Sequence, residues 1–159
     1  MAFWQDIQKD IEAHGGKGGF FCCLGYILFN PSIRMLFSYR LQRLLSGEDI
    51  VSRLLQKALW MGSCRKSSCH INPKAVIEAG VKFPHPTGIV IGHGAVIEAG
   101  AIIYQNVTIG KKYHEDSASQ IAPYIKSGAI IYANAVVVGG IVMSENSVIP
   151  AQSFIDKDI

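Results

Sequence analysis

The chain has 159 residues, of which 49% are hydrophobic and 17% charged, and its formal charge is +3. That length admits one domain, or one domain with a helical appendage, and the composition excludes a disordered chain. The charge is too small to argue for a nucleic-acid partner.

The first predicted helix covers residues 3–14: Phe3, Ile7 and Ile11 fall four apart, with acidic residues between them. The opening "MAFWQDIQKDIEAH" carries acids where a secretory leader needs bases, so no leader is expected. His14 reads as a helix-end residue, and the glycines of "GGKGG" separate this helix from the next segment. The apolar run Gly19 to Phe29 is only 11 residues long before Asn30-Pro31. That is well short of the roughly 20 a membrane span needs, so it is expected to be buried or packed on a partner subunit. In "PSIRMLFSYRLQRLL" a helix starts at Pro31-Ser32, with Ile33, Leu36, Phe37, Leu41 and Leu44 as its apolar stripe and Arg34, Arg40 and Arg43 off it. A further helix is expected in "GEDIVSRLLQKALWMG", bounded by Gly47 and Gly62. Residues 1–66 hold 9 Lys/Arg against 5 Asp/Glu, while 67–159 hold 6 against 7. The mild basicity is read as a solvated helix face, and any membrane contact as peripheral. Cys22, Cys23, Cys64 and Cys69 have no zinc spacing and are read as the reduced thiols of a cytoplasmic protein.

From Ile71 the period changes to six. Ile71, Ile77 and Phe83 form one run; Ile91, Ile97, Ile103 and Ile109 a second; Ile125, Ile131, Val137, Met143, Ile149 and Ile155 a third. Four places after many of them stands a small residue: Ala75, Ala95, Ala101, Ala129, Ala135, Ser147, Ser153. Neither a period of 2 nor one of 3.6 produces this. A coil of three flat faces, each one hexapeptide long, does, and that is the signature of a parallel β-helix. The chain therefore divides into an N-terminal helical segment (1–66) and a β-helix of roughly five coils (67–159). The count breaks twice, by eight between Phe83 and Ile91 and by sixteen between Ile109 and Ile125. The first break holds His85 between two prolines; the second is a loop, "KKYHEDSASQ". Loops projecting from a solenoid commonly belong to its working face.

Residues 71–110, "INPKAVIEAGVKFPHPTGIVIGHGAVIEAGAIIYQNVTIG", contain an H-x-T-G-I-V-I-G run and resemble the core of the serine acetyltransferases, hexapeptide-repeat acyltransferases. "WQDIQKDIEA" and "FNPSIRMLFSYRLQRLL" resemble the helices that precede that core. The resemblance implies a left-handed β-helix, acetyl-CoA as cosubstrate, no metal, and direct acetyl transfer to a hydroxyl. It implies homotrimers with sites between neighbouring prisms, and leaves a dimer of trimers open. The family's catalytic histidine falls on His85, whose imidazole would take the acceptor's proton. Gly110 or Lys111 would supply an N–H to the thioester oxyanion, and Ala133 and Asn134 would line the pantetheine arm. His70 stands where the family has an aspartate that orients the histidine. A neutral ring there can set a tautomer but cannot stabilise imidazolium as a carboxylate does.

Three groups with which the family reads an amino acid are also changed. The helical aspartate falls in "HGGKGG", the acid before the catalytic histidine is Pro84, and the Arg-His pair after the loop is Ile121-Ala122. Without them a sugar hydroxyl is the expected acceptor and L-serine the alternative. His114 in the loop is a candidate replacement for the lost histidine, with Glu115 or Asp116 as a carboxylate source; an exposed loop residue is the other reading of His114. Two other classes are a zinc enzyme using His85, His93 and His114, and a non-catalytic scaffold.

Overall fold

A computed structural model describes residues 2–17, 20–47, 49–112 and 121–159, the side chains of 2, 20 and 21 excepted. Four helices come first: α1 (Ala2–Ala13), α2 (Phe20–Phe29), α3 (Pro31–Leu44) and α4 (Ile50–Ser67). Then come short strands in three parallel sheets. Face A stacks β1 (His70–Ile71), β3 (Val90–Ile91), β6 (Thr108–Gly110), β9 (Val136–Val138) and β12 (Phe154–Ile155). Face B stacks β2 (Val76–Ile77), β4 (Val96–Ile97), β7 (Tyr124–Ile125) and β10 (Val142–Met143). Face C stacks β5 (Ile102–Ile103), β8 (Ile130–Ile131) and β11 (Val148–Ile149), with Lys82 bridging to Ile102 below them. The chain thus makes four coils and begins a fifth.

The six-residue step is the reason for this shape. In each strand one side chain points inward and its neighbour outward. Of the thirteen residues on the repeat, all are buried except Ile155, which is half-buried in the last coil. Each fully buried isoleucine contributes about 1.5–3 kcal/mol. Ladder partners keep strict register, Ile71 on Ile91 on Ile109 on Val137 on Ile155 along face A. At the corner between faces C and A the backbone turns through positive φ at Gly88, Asn106, Asn134 and Gln152. Gly88 is required twice over, because φ is +65° there and a Cβ would collide with Asn106 Oδ1.

The first coil has no coil beneath it, so its inward residues present unpaired backbone groups on that side. The helical segment caps them with side chains. Trp60 Nε1 donates to Ile71 O, and Tyr39 Oη donates to Ala75 O and accepts from Ile77 N–H. Arg40 donates to Ile77 O and Glu78 O, and Asp10 accepts from Gly80 N–H. Met35, Leu36 and Tyr39 continue the β-helix core, while Ile7, Ile11 and Ile33 form a second cluster between α1 and α3.

Three expectations for the helices need correction. Arg40 is buried, not off the apolar stripe: it forms a two-point ion pair with the fully buried Asp10, Nε to Oδ2 at 2.5 Å and Nη2 to Oδ1 at 2.8 Å. Burial works against the Arg40 charge, but the Asp10 hydrogen bonds and charge outweigh it and raise its pKa. Leu44, assigned to the stripe, is 65% exposed. The last helix runs through Gly62 to Ser67 and ends where Ser68 turns left-handed (φ 54°) with its N–H on Cys64 O. A glycine in a helix costs only about 1 kcal/mol, which an 18-residue helix absorbs. The apolar helix α2 is only partly covered within the chain: Leu24, Leu28 and Phe29 stay exposed. No described helix is long and apolar enough to cross a membrane. All four cysteines are free, and burial pushes the Cys64 and Cys69 thiols up.

Candidate functional site

The eight-residue step between Phe83 and Ile91 is a bulge on the corner between faces C and A. Pro84 and Pro86 have no N–H, and Thr87 N–H closes a tight turn onto His85 O at 2.8 Å. His85 is therefore pushed out of the ladder and its side chain is exposed. Its ring lies 6.2 Å from that of Tyr104, which stacks on Tyr132 at 5.1 Å and 23°. Beside this aromatic column Asn106 Nδ2 donates to Asn134 Oδ1 at 3.1 Å. Ala133 and Asn134 thus share an edge of the prism with His85, two coils further on. The tyrosines were missed in the sequence, although each directly follows an inward isoleucine, Ile103 or Ile131, on the same face.

A cleft of about 870 Å³ opens between α3, α4 and the bulge, with Pro84, His85, Pro86 and Thr87 at one wall. Met35, Leu41, Leu55 and Leu59 make it apolar, Arg34 and Lys66 supply cations, and among the described residues no Asp or Glu lines it.

His70 pairs with Val90, its N–H bonded to Ile89 O, and its ring lies 5.9 Å from Trp60. Among the described residues no hydrogen bond joins it to His85. Gly110 closes β6, paired with Val138, and its carbonyl accepts from Gly139 N–H; Lys111 is the first residue beyond the ladder. Both follow the end of β6, whereas His85 stands at the corner that precedes face A. Ile121 and Ala122 re-enter the prism beside Gly140 and Gly94 and bring no charge there. His93 is an exposed turn residue. His114, Glu115 and Asp116 lie outside the described residues. Among the described residues no three His, Cys, Asp or Glu side chains cluster as a metal site.

Two residues without an assigned role touch the bulge. His14 Nε2 accepts from Phe83 N–H at 3.3 Å while its Nδ1 contacts Asp10 O at 2.8 Å. Ser32 Oγ, in the first turn of α3, donates to Phe83 O at 2.6 Å. Neither contact, 69 and 51 residues apart in sequence, has a local signal.

No protein-family model matches the chain. Among known proteins it is similar to serine acetyltransferase 2 of Arabidopsis thaliana, 32% identical over 156 residues, which covers 96% of this chain and 46% of that one. The chain thus spans about half the length of that relative. Of solved structures, a serine acetyltransferase in complex with cysteine superposes with a TM-score of 0.85 at 26% identity, over 99% of this chain and 60% of that one. Another, in complex with CoA, superposes at 0.81 and 26%, over 99% and 64%.

Proposed function

Because the chain belongs to the serine acetyltransferase-like hexapeptide-repeat family, we propose that it is an acetyl-CoA-dependent O-acetyltransferase whose general base is His85. The observation that carries this reading is the bulge: it lifts one imidazole out of an otherwise regular ladder and exposes it on a cleft wall. His85 takes the proton of the acceptor hydroxyl as that oxygen attacks the thioester carbonyl, then returns it to the departing sulfur. No covalent enzyme intermediate is needed. Lys111 N–H, beyond the ladder, is the better oxyanion donor of the two candidates. It would serve the His85 of a neighbouring prism, which makes a homotrimer part of the proposal. Ala133, small and beside the Tyr104–Tyr132 column, leaves room for the pantetheine arm to run along the edge towards His85. The four free thiols suit a reducing compartment, which supports a cytoplasmic location.

The relatives' names favour L-serine as the acceptor, and the sugar hydroxyl expected from the sequence finds no support among them. A second reading survives on one observation. Among the described residues the cleft offers Arg34 and Lys66 to an anionic group but no carboxylate to an ammonium, so an anionic hydroxyl compound without an amine would suit it. Release of free thiol from acetyl-CoA, measured with L-serine and with a panel of sugars and nucleotide sugars, separates these. Saturable turnover with serine alone establishes the first, turnover with an anionic sugar the second, and none with any acceptor leaves a scaffold.

A further inference from the structure

We propose that His14 and Ser32 are positioning residues, a two-point clamp by which the helical segment orients His85. The inference rests on His85 being the base. Between Phe83 and Thr87 the chain is Pro84-His85-Pro86, so two of three residues cannot donate to any ladder. The orientation of the bulge is therefore set at its two ends. At the exit, Thr87 O accepts from Asn106 N–H in the coil above. At the entry the Phe83 ring is fully buried, but a buried ring leaves its peptide planes free to rock. Those planes are held by His14 on the N–H and Ser32 on the carbonyl.

The clamp is itself anchored. Gly16 N–H returns to Ile11 O and Gly15 N–H to Glu12 O, with Gly15 at φ +83°. That pattern ends α1 as a Schellman motif and fixes His14 as its cap residue. With Asp10 O accepting from Nδ1, the ring is the neutral tautomer that leaves Nε2 free to accept from Phe83. Asp10 is tied to Arg40 and to Gly80 N–H, so the path from helix core to bulge is continuous hydrogen bonding.

The test compares His14→Ala and Ser32→Ala with Tyr39→Phe, which removes caps from the same open edge but away from the bulge. In the full chain, His14→Ala and Ser32→Ala should each lower kcat about ten- to a hundredfold, with both KM values within about twofold of the parent. Tyr39→Phe should leave kcat within about twofold, and His14→Gln, whose amide oxygen can accept from Phe83, should recover most of the loss. A kcat loss in the clamp variants no larger than in Tyr39→Phe overturns the proposal. Amide exchange reads the contact even if the parent turns over no acceptor, an outcome that sinks the acetyltransferase reading by itself. Exchange at Phe83 should quicken roughly fivefold or more in His14→Ala and not in Tyr39→Phe; equal rates in the two overturn the clamp.

Discussion

The upper coils and the underside of the first coil solve one problem by different means. Every peptide group in a strand needs a partner. In the coils above, the partner is the next turn of the same spiral, supplied by repetition: Val90 N–H to Val107 O, Thr108 N–H to Ala135 O, Val136 N–H to Ser153 O. On the underside the partners are single side chains, Trp60, Tyr39, Arg40, Asp10, His14 and Ser32, each from a different helical position. Repetition supplies the same partner at every rung, whereas each cap is a separate side chain, doubled among the described residues only at Ala75 O, where Arg43 donates beside Tyr39. The bulge with His85 lies where the two regimes meet.

The contrast is sharpest at Arg40. Replacing it with Met leaves Asp10 buried without its cation and uncaps two carbonyls, and should destabilise the protein by about 3–5 kcal/mol in urea denaturation. Changing both members to apolar residues should cost less than Arg40→Met alone; an equal or larger loss would mean the ion pair is not the reason. Within the coils, Gly88→Ala forces a Cβ onto Asn106 at positive φ, for a loss of about 1–3 kcal/mol. Next comes Asn30, which caps α3 by accepting from the N–H groups of Ser32 and Ile33. Asn30→Ala should cost about 1 kcal/mol, and a change in kcat larger than this predicts would implicate the neighbouring Ser32. The smallest effect is on face B. Tyr124 donates to Glu98, which raises the tyrosine's pKa. The bond persists below the ordinary tyrosine range and is lost as pH rises through the raised value. Glu98→Gln should therefore bring tyrosinate absorbance in at lower pH, with little change in stability.

What could be read from the residues divides along the same line. A six-residue period is local, so the coils, the inward positions and both breaks were legible, with His85 in the first of them. Caps are not local: Asp10 meets Gly80 and His14 meets Phe83 across some seventy positions. No pattern in a window of sequence announces them. Arg40 is instructive because its position was readable, seven residues after Ile33 and four after Leu36, on the buried face. Its charge argued for solvent, and the partner that overrides that argument, Asp10, lies 30 residues earlier.

The irregular corner at residues 83–87 is where a hydroxyl is proposed to be activated. Thiol release from acetyl-CoA by the parent and by His85→Ala, each checked for the same assembly and melting temperature, tests this most directly. The variant should keep its fold and lose about a hundredfold or more of kcat. A folded His85→Ala protein turning over at the parent rate would contradict that role.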